Sequence, residues 1–173
     1  AVRVILIAGP SSSGKTTFAH RLSTQLRVNG LTPVPIALDD YFLNRDQTPI
    51  DKEGNDDFDT LEALDLKLLE KQIEQLIKGA TVETPIFDFA SGMRSQKKRS
   101  LKLGSSEILV IEGIHALNPA LIANLTKSVF FKIYVSALFG LNIDYMNRVP
   151  TTEVRLIRRI VRDEQFRALS PEK

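Results

Sequence analysis

The chain contains no cysteine. That excludes disulfides, thiolate catalysis and Cys-ligated zinc, and it suits a reducing compartment. Histidine is scarce as well. Only two occur, His20 and His115, far apart in sequence, so a histidine-based metal centre is not expected. No apolar run approaches the ~18–20 residues of a membrane span, and no signal-peptide pattern is visible. Neither sign of charge dominates, since 23 Lys and Arg stand against 21 Asp and Glu for a formal +2. Nucleic acid as a main partner calls for a stronger basic excess. The one basic run, Arg94-Ser-Gln-Lys-Lys-Arg99, reads as a solvated loop. These absences point to a cytoplasmic protein that works on a small molecule, with neither nucleic acid nor membrane as partner. They are compatible with a homo-oligomer.

With 173 residues, 43% of them apolar and 25% charged, the chain can bury the core of one soluble globular domain. It opens abruptly, with a core strand directly after Ala1, and stops at Ser170-Pro171-Glu172-Lys173 without a closing apolar element. Residues 1–173 are therefore expected to be a single domain cut from a longer protein.

Strands alternate with helices, which predicts an α/β fold with a largely parallel sheet. Residues 2–8 and 34–38 read as buried strands, as do 108–111 and 130–135. Residues 17–27 read as a helix with Phe18, Leu22 and Leu26 on one face and Asn29-Gly30 as its stop. Leu66, Leu69, Ile73, Leu76 and Ile77 mark an amphipathic helix, with Gly79 as its C-cap. The polar stretch 44–57 reads as a mobile surface loop. Residues 81–89 and 99–103 are expected to form a hairpin outside the main sheet. Residues 152–166 read as an Arg-rich helix capped by Thr151 or Thr152.

Gly9-Pro-Ser-Ser-Ser-Gly-Lys-Thr16 fits G-x-x-x-x-G-K-[ST], the phosphate-binding P-loop, between a strand and a helix as the motif requires. Backbone N–H groups and the helix dipole would then face an anion. Gly9 and Ser11, Ser12, Ser13, Gly14, Lys15, Thr16 and Thr17 are the expected contacts of a nucleoside triphosphate. Lys15 would reach the β- and γ-phosphates, and the Thr16 hydroxyl would hold Mg²⁺. Glu112, directly after the strand 108–111, has the form of a Walker B acid and would share that ion. Asp39 ends the second strand, where ligands bind in such sheets. It could take a proton from an attacking hydroxyl, or Asp39 or Asp40 could merely cap the next segment. Helical spacing puts Arg155, Arg158 or Arg159, and Arg162 on one face, a row suited to phosphoryl charge or to plain solvation.

Taken together, these pieces resemble the uridine kinase and phosphoribulokinase family. The resemblance runs through the P-loop, Leu38-Asp-Asp-Tyr-Phe42, Asp57-Phe-Asp59 with Ala63-Leu64, Pro85-Ile-Phe-Asp-Phe89 with Arg94, Glu112-Gly-Ile114 and Arg158-Arg-Ile-Val-Arg-Asp163, in family order. It implies a P-loop three-layer fold with a substrate-binding hairpin and an Arg-rich lid helix. The implied reaction is ATP- and Mg²⁺-dependent phosphorylation of a nucleoside 5′-hydroxyl, uridine or cytidine first. By the same resemblance Asp39 is the base, Asp59 grips ribose hydroxyls, and Phe42 and Phe87 lie at the nucleoside. Arg94 falls in the substrate hairpin, Thr16 and Glu112 hold the metal, and Arg159, Arg162 and Arg167 contact phosphate from the lid. Three departures stand out. Gly92 occupies the position of a His that contacts the pyrimidine, which implies weaker base selection. Ala168 follows Arg167 where a Gly is usual, and the family's C-terminal helix and last strand have no counterpart. The chain also resembles the branch in which such a domain follows a threonyl-tRNA-synthetase-like region, which fits the abrupt start.

Overall fold

The computed structural model describes residues 2–122, 130–136, 140 and 142–167. Four parallel strands build the central sheet: β1 (Val4–Ala8), β2 (Thr32–Ala37), β7 (Glu107–Glu112) and β8 (Phe130–Tyr134), in the order β2-β7-β1-β8. Strands β1 and β7 lie in the middle, and their apolar runs are buried on both faces, as parallel strands require. Strand β2 lies at one edge among the described residues, carries prolines at 33 and 35, and pairs with β7 along its length.

Strand β8 forms the opposite edge and leaves Phe131 and Tyr134 exposed. The expectation of another core strand over 130–135 is corrected here. The residues are extended and aromatic, but one side of the strand has no neighbour among the described residues.

Helix α1 (Lys15–Val28) packs on β1 and β7. Its buried residues are Ala19 and Ser23, flanked by Leu22 and Leu26, while Phe18 is exposed. The expected apolar face is thus rotated, with small residues where the helix approaches the sheet most closely. Helix α2 (Leu66–Ile77) keeps its predicted face, burying Leu69, Ile73 and Leu76. Asp65 Oδ1 caps it by accepting from the Leu68 amide at 3.1 Å. Two antiparallel ribbons stand outside the sheet where the sequence predicts one hairpin of 81–89 with 99–103, the second pairing reaching into the predicted turn region. They are β3 (Thr81–Thr84) with β6 (Arg99–Lys102), and β4 (Phe87–Asp88) with β5 (Met93–Arg94). A short helix α3 (Pro119–Ile122) follows β7, and the Arg-rich helix α4 (Thr151–Arg167) closes the described chain. Thr151 is its first residue, so Thr151 and Thr152 lie within the helix rather than capping it.

The stretch 44–57 is folded into turns, with a 3₁₀ turn at Arg45–Gln47 and a bridge between Ile50 and Asp56. No described helix is long and apolar enough to cross a membrane.

Candidate active site

A cleft of about 420 Å³ opens at the carboxyl ends of the sheet strands, within the range of small-molecule sites. Its floor is the turn between β1 and α1. Ser12 (φ 59°) and Gly14 (φ 92°) both take left-handed backbone there. Alternation of this kind curls successive N–H groups into one concavity that suits an anion. Gly14 is the N-cap of α1 and offers no side chain, so the helix's first amides are left to a ligand. The Ser12 and Ser13 hydroxyls are buried without a hydrogen-bond partner, and at Ser12, which lines the cleft, a bound phosphate would relieve that cost. Lys15 Nζ donates to the Pro10 carbonyl at 3.1 Å, across the loop. Burial holds its pKa below the ordinary lysine value, opposed by Glu112 and Asp39 and reinforced by Arg162 and Arg155. Of the expected phosphate contacts, Ser11, Ser12 and Gly14 to Thr17 form the cleft wall, while Gly9 and Ser13 do not.

Thr16 Oγ1 donates to Glu112 Oε1 at 2.7 Å, joining the P-loop helix to the end of β7. Among the described residues no three His, Asp or Glu side chains converge on one point. Two protein oxygens without a cage suit Mg²⁺, which takes the rest of its shell from substrate phosphates and water. Burial raises the Glu112 pKa, against the Thr16 hydrogen bond that lowers it. A raised folded-state pKa contributes stability that is complete below the unfolded value and is lost as pH rises through the folded one. Near neutral pH the ionised Glu112 therefore costs stability. Glu112→Gln is expected to raise the urea midpoint at neutral pH and to lose that advantage in acid, below the ordinary glutamate range of about 4.3. Equal midpoints at both pH values would refute this.

The two adjacent acids after β2 divide. Asp39 lies in the 3₁₀ turn Leu38–Tyr41 and faces the cleft with Lys15 and Glu112. Asp40 turns to the hairpin, where its Oδ1 accepts from the Phe87 amide at 3.3 Å, and burial raises its pKa. Asp40 therefore ties the turn to the hairpin, and neither acid caps the 3₁₀ turn that follows.

At the far end of the cleft stand Phe42, Phe58 and Asp59. Phe42 is 4% exposed and sits amid Phe58, Phe87 and Phe89 with edge-to-face centroid distances of 5.1–6.3 Å. Phe87 is buried within this cluster and does not reach the cleft wall. Phe58, which no sequence expectation singled out, stands there instead. Arg94 lies in the hairpin as expected, with its donors spent on the protein itself. Its Nε and Nη2 donate to the Phe42 and Tyr41 carbonyls at 2.8 and 2.9 Å, and its Nη1 pairs with Asp65 at 3.1 Å. It fastens the hairpin to the aromatic turn and is absent from the cleft wall. Gly92 has φ 68°, and a Cβ there would meet Arg45 Nε at 2.8 Å. A side chain at 92 is therefore strained in backbone, and it would also have to displace the movable end of Arg45.

Helix α4 forms the roof, with Arg158, Arg162 and Phe166 in the cleft wall. Arg162 donates to Ser11 Oγ through Nη1 at 3.1 Å and to Asp163 Oδ1 through Nε at 2.8 Å. Arg159 reaches Asp59 Oδ2 at 3.5 Å, and Asp163 Oδ2 at the same distance. The Asp59 carbonyl also meets His115 Nε2 at 2.9 Å. Arg155 Nε donates to the Ser11 carbonyl at 3.1 Å. Arg167 ends the helix, and its side chain lies outside the described residues.

The model of the phosphoribulokinase / uridine kinase family matches residues 4–173. A uridine kinase from Lactobacillus johnsonii is 31% identical over 169 residues, covering 98% of this chain and 71% of that protein. One from Mycoplasma genitalium is 32% identical over 162 residues, covering 94% and 67%. A solved structure described as a possible uridine kinase from Bacillus stearothermophilus superposes with a TM-score of 0.63 at 26% identity, covering 99% of this chain and 84% of that one.

Proposed function

From the premise that the chain belongs to the phosphoribulokinase / uridine kinase family, we propose that it transfers the γ-phosphoryl group of ATP to the 5′-hydroxyl of a nucleoside, uridine or cytidine first. One observation carries the reading: Lys15, Asp39, Asp59, Glu112, Arg158 and Arg162 line a single cleft that runs from the phosphate loop to an aromatic end. The loop amides and Lys15 bind the triphosphate. Asp59, Phe58 and Phe42 hold the acceptor, with Phe87 behind. Asp39 receives the acceptor proton as its oxygen attacks the γ-phosphorus and the bond to the β–γ bridging oxygen breaks. Arg158, Arg159 and Arg162 offset the charge that develops on the transferred group. Mg²⁺, held by Thr16 and Glu112, would add charge neutralisation at the β- and γ-phosphates.

Gly92 leaves no side chain at the hairpin tip to read a base, and this supports broad acceptor choice. The expected result is transfer to uridine, cytidine, adenosine and guanosine with kcat/KM values within about 10²-fold of each other, the range of a pocket without a matched polar group. Gly92→His is expected to sharpen pyrimidine selection only at a cost in hairpin stability. The check is a substrate panel with coupled ADP release. Strict selection by the wild type would show that another residue reads the base. Transfer only to a sugar phosphate, pantothenate or glycerate would overturn the nucleoside assignment. Nucleotide binding without acceptor-dependent ADP release would favour a regulatory module.

A further inference from the structure

Helix α4 has little apolar packing to hold it down. Leu156, Ile157, Val161 and Phe166 are 59, 62, 46 and 74% exposed. Val154 and Ile160 are half-buried, and the polar contacts described between the helix and the body are made by guanidinium groups. The Arg159–Asp59 pair, at 3.5 Å between exposed side chains, is weak. Arg162 divides its donors between Ser11 Oγ and Asp163 of its own helix. Arg155 is different. It does not belong to the cleft wall, yet its Nε donates to the backbone carbonyl of Ser11 at 3.1 Å, half-buried and 144 positions away in sequence. Ser11 precedes Ser12, whose left-handed backbone curls the loop amides inward, and its carbonyl goes to the lid. Arg155 also lies one turn before Arg158 and two before Arg162, on the same helix face. Arg158 Nη2 stands 4.0 Å from where a Cβ on Gly14 would lie, which puts the helix over the loop.

We infer that Arg155 is a positioning residue, a latch that seats the lid helix on the phosphate loop before nucleotide arrives and so fixes where Arg158 and Arg162 project. The inference rests on the kinase reading of the cleft for its catalytic meaning, but the seating itself does not. A charge-assisted bond to a half-buried carbonyl is strong for its size, and it acts where packing is poor. Losing it frees the first turns of α4 without disturbing the sheet.

The test compares wild type, Arg155→Ala and Arg155→Lys by hydrogen exchange on the nucleotide-free protein. Amides of residues 151–162 are expected to exchange on the order of tenfold faster in Arg155→Ala, with α1 unchanged. Arg155→Lys, which keeps a charged donor, is expected to restore most of the protection. In turnover, Arg155→Ala is expected to lower kcat about tenfold with KM for ATP nearly constant, because the arginines it aims act on the transition state. Unchanged exchange in α4, or equal acceleration in α1 and α4, overturns the latch. A change confined to KM overturns its positioning role. If the wild type phosphorylates no alcohol, the kinase reading fails while the exchange result still decides the latch.

Discussion

Asp39→Asn is expected to lower kcat on the order of 10²-fold or more while leaving ATP affinity little changed. The amide fills nearly the same space, so the 3₁₀ turn and the cleft wall should survive. It cannot accept the hydroxyl proton as a carboxylate does. Asp39 faces the cleft beside Lys15 and Glu112, whereas Asp40 is committed to the Phe87 amide. The neighbouring variant makes the control. Asp40→Asn should weaken the tie to the hairpin and lower thermal stability, with a smaller effect on kcat. Steady-state kinetics with ATP titration and a melting curve on both variants decide the matter. A crippled Asp40→Asn beside a mild Asp39→Asn would move the base by one residue.

Lys15→Ala is expected to cut phosphoryl transfer by about 10³-fold, the cost of removing one aimed donor from developing phosphoryl charge. Lys15 is held low by burial and spends Nζ on the Pro10 carbonyl across the loop. The empty protein therefore gains little from it, and its melting temperature should hold or rise on truncation. Bound triphosphate would supply the partner that burial denies. Nucleotide should accordingly raise the melting temperature of the wild type far more than that of the variant. Wild-type transfer by a purified, folded Lys15→Ala protein would remove the loop from the reaction.

Much of this fold is legible in the chain because its signals are local. The glycine loop between a buried strand and a helix, the spacing of Leu69, Ile73 and Leu76, and the turn-rich segment before Arg99 each announce themselves within a few residues. What escaped depends on neighbours distant in sequence. Phe18 matches the period of α1 as well as Ala19 does. Only the closeness of the sheet favours the small residue. Arg94 has the right chemistry for a ligand, yet two carbonyls of the Tyr41–Phe42 turn and Asp65 absorb its donors. Phe58 and Phe87 are equal as aromatics, and their places are set by how the hairpin folds onto Phe42. Strand β8 reads as core because its composition is apolar, and composition does not say which strand lies at an edge.

Pro33 and Pro35 are two apart in β2, so both lack their N–H on the same side of the strand. The other side carries the ladder to β7. Pro33 is buried and Pro35 exposed, and a foreign strand laid along this border would find carbonyl acceptors at these two positions and no matching donors. The backbone at this border is thus chemically blunt, and it resists the edge-to-edge stacking that turns exposed sheets into aggregates. Copies of the chain that associate along this side would have to do so through side chains rather than by extending one sheet into another.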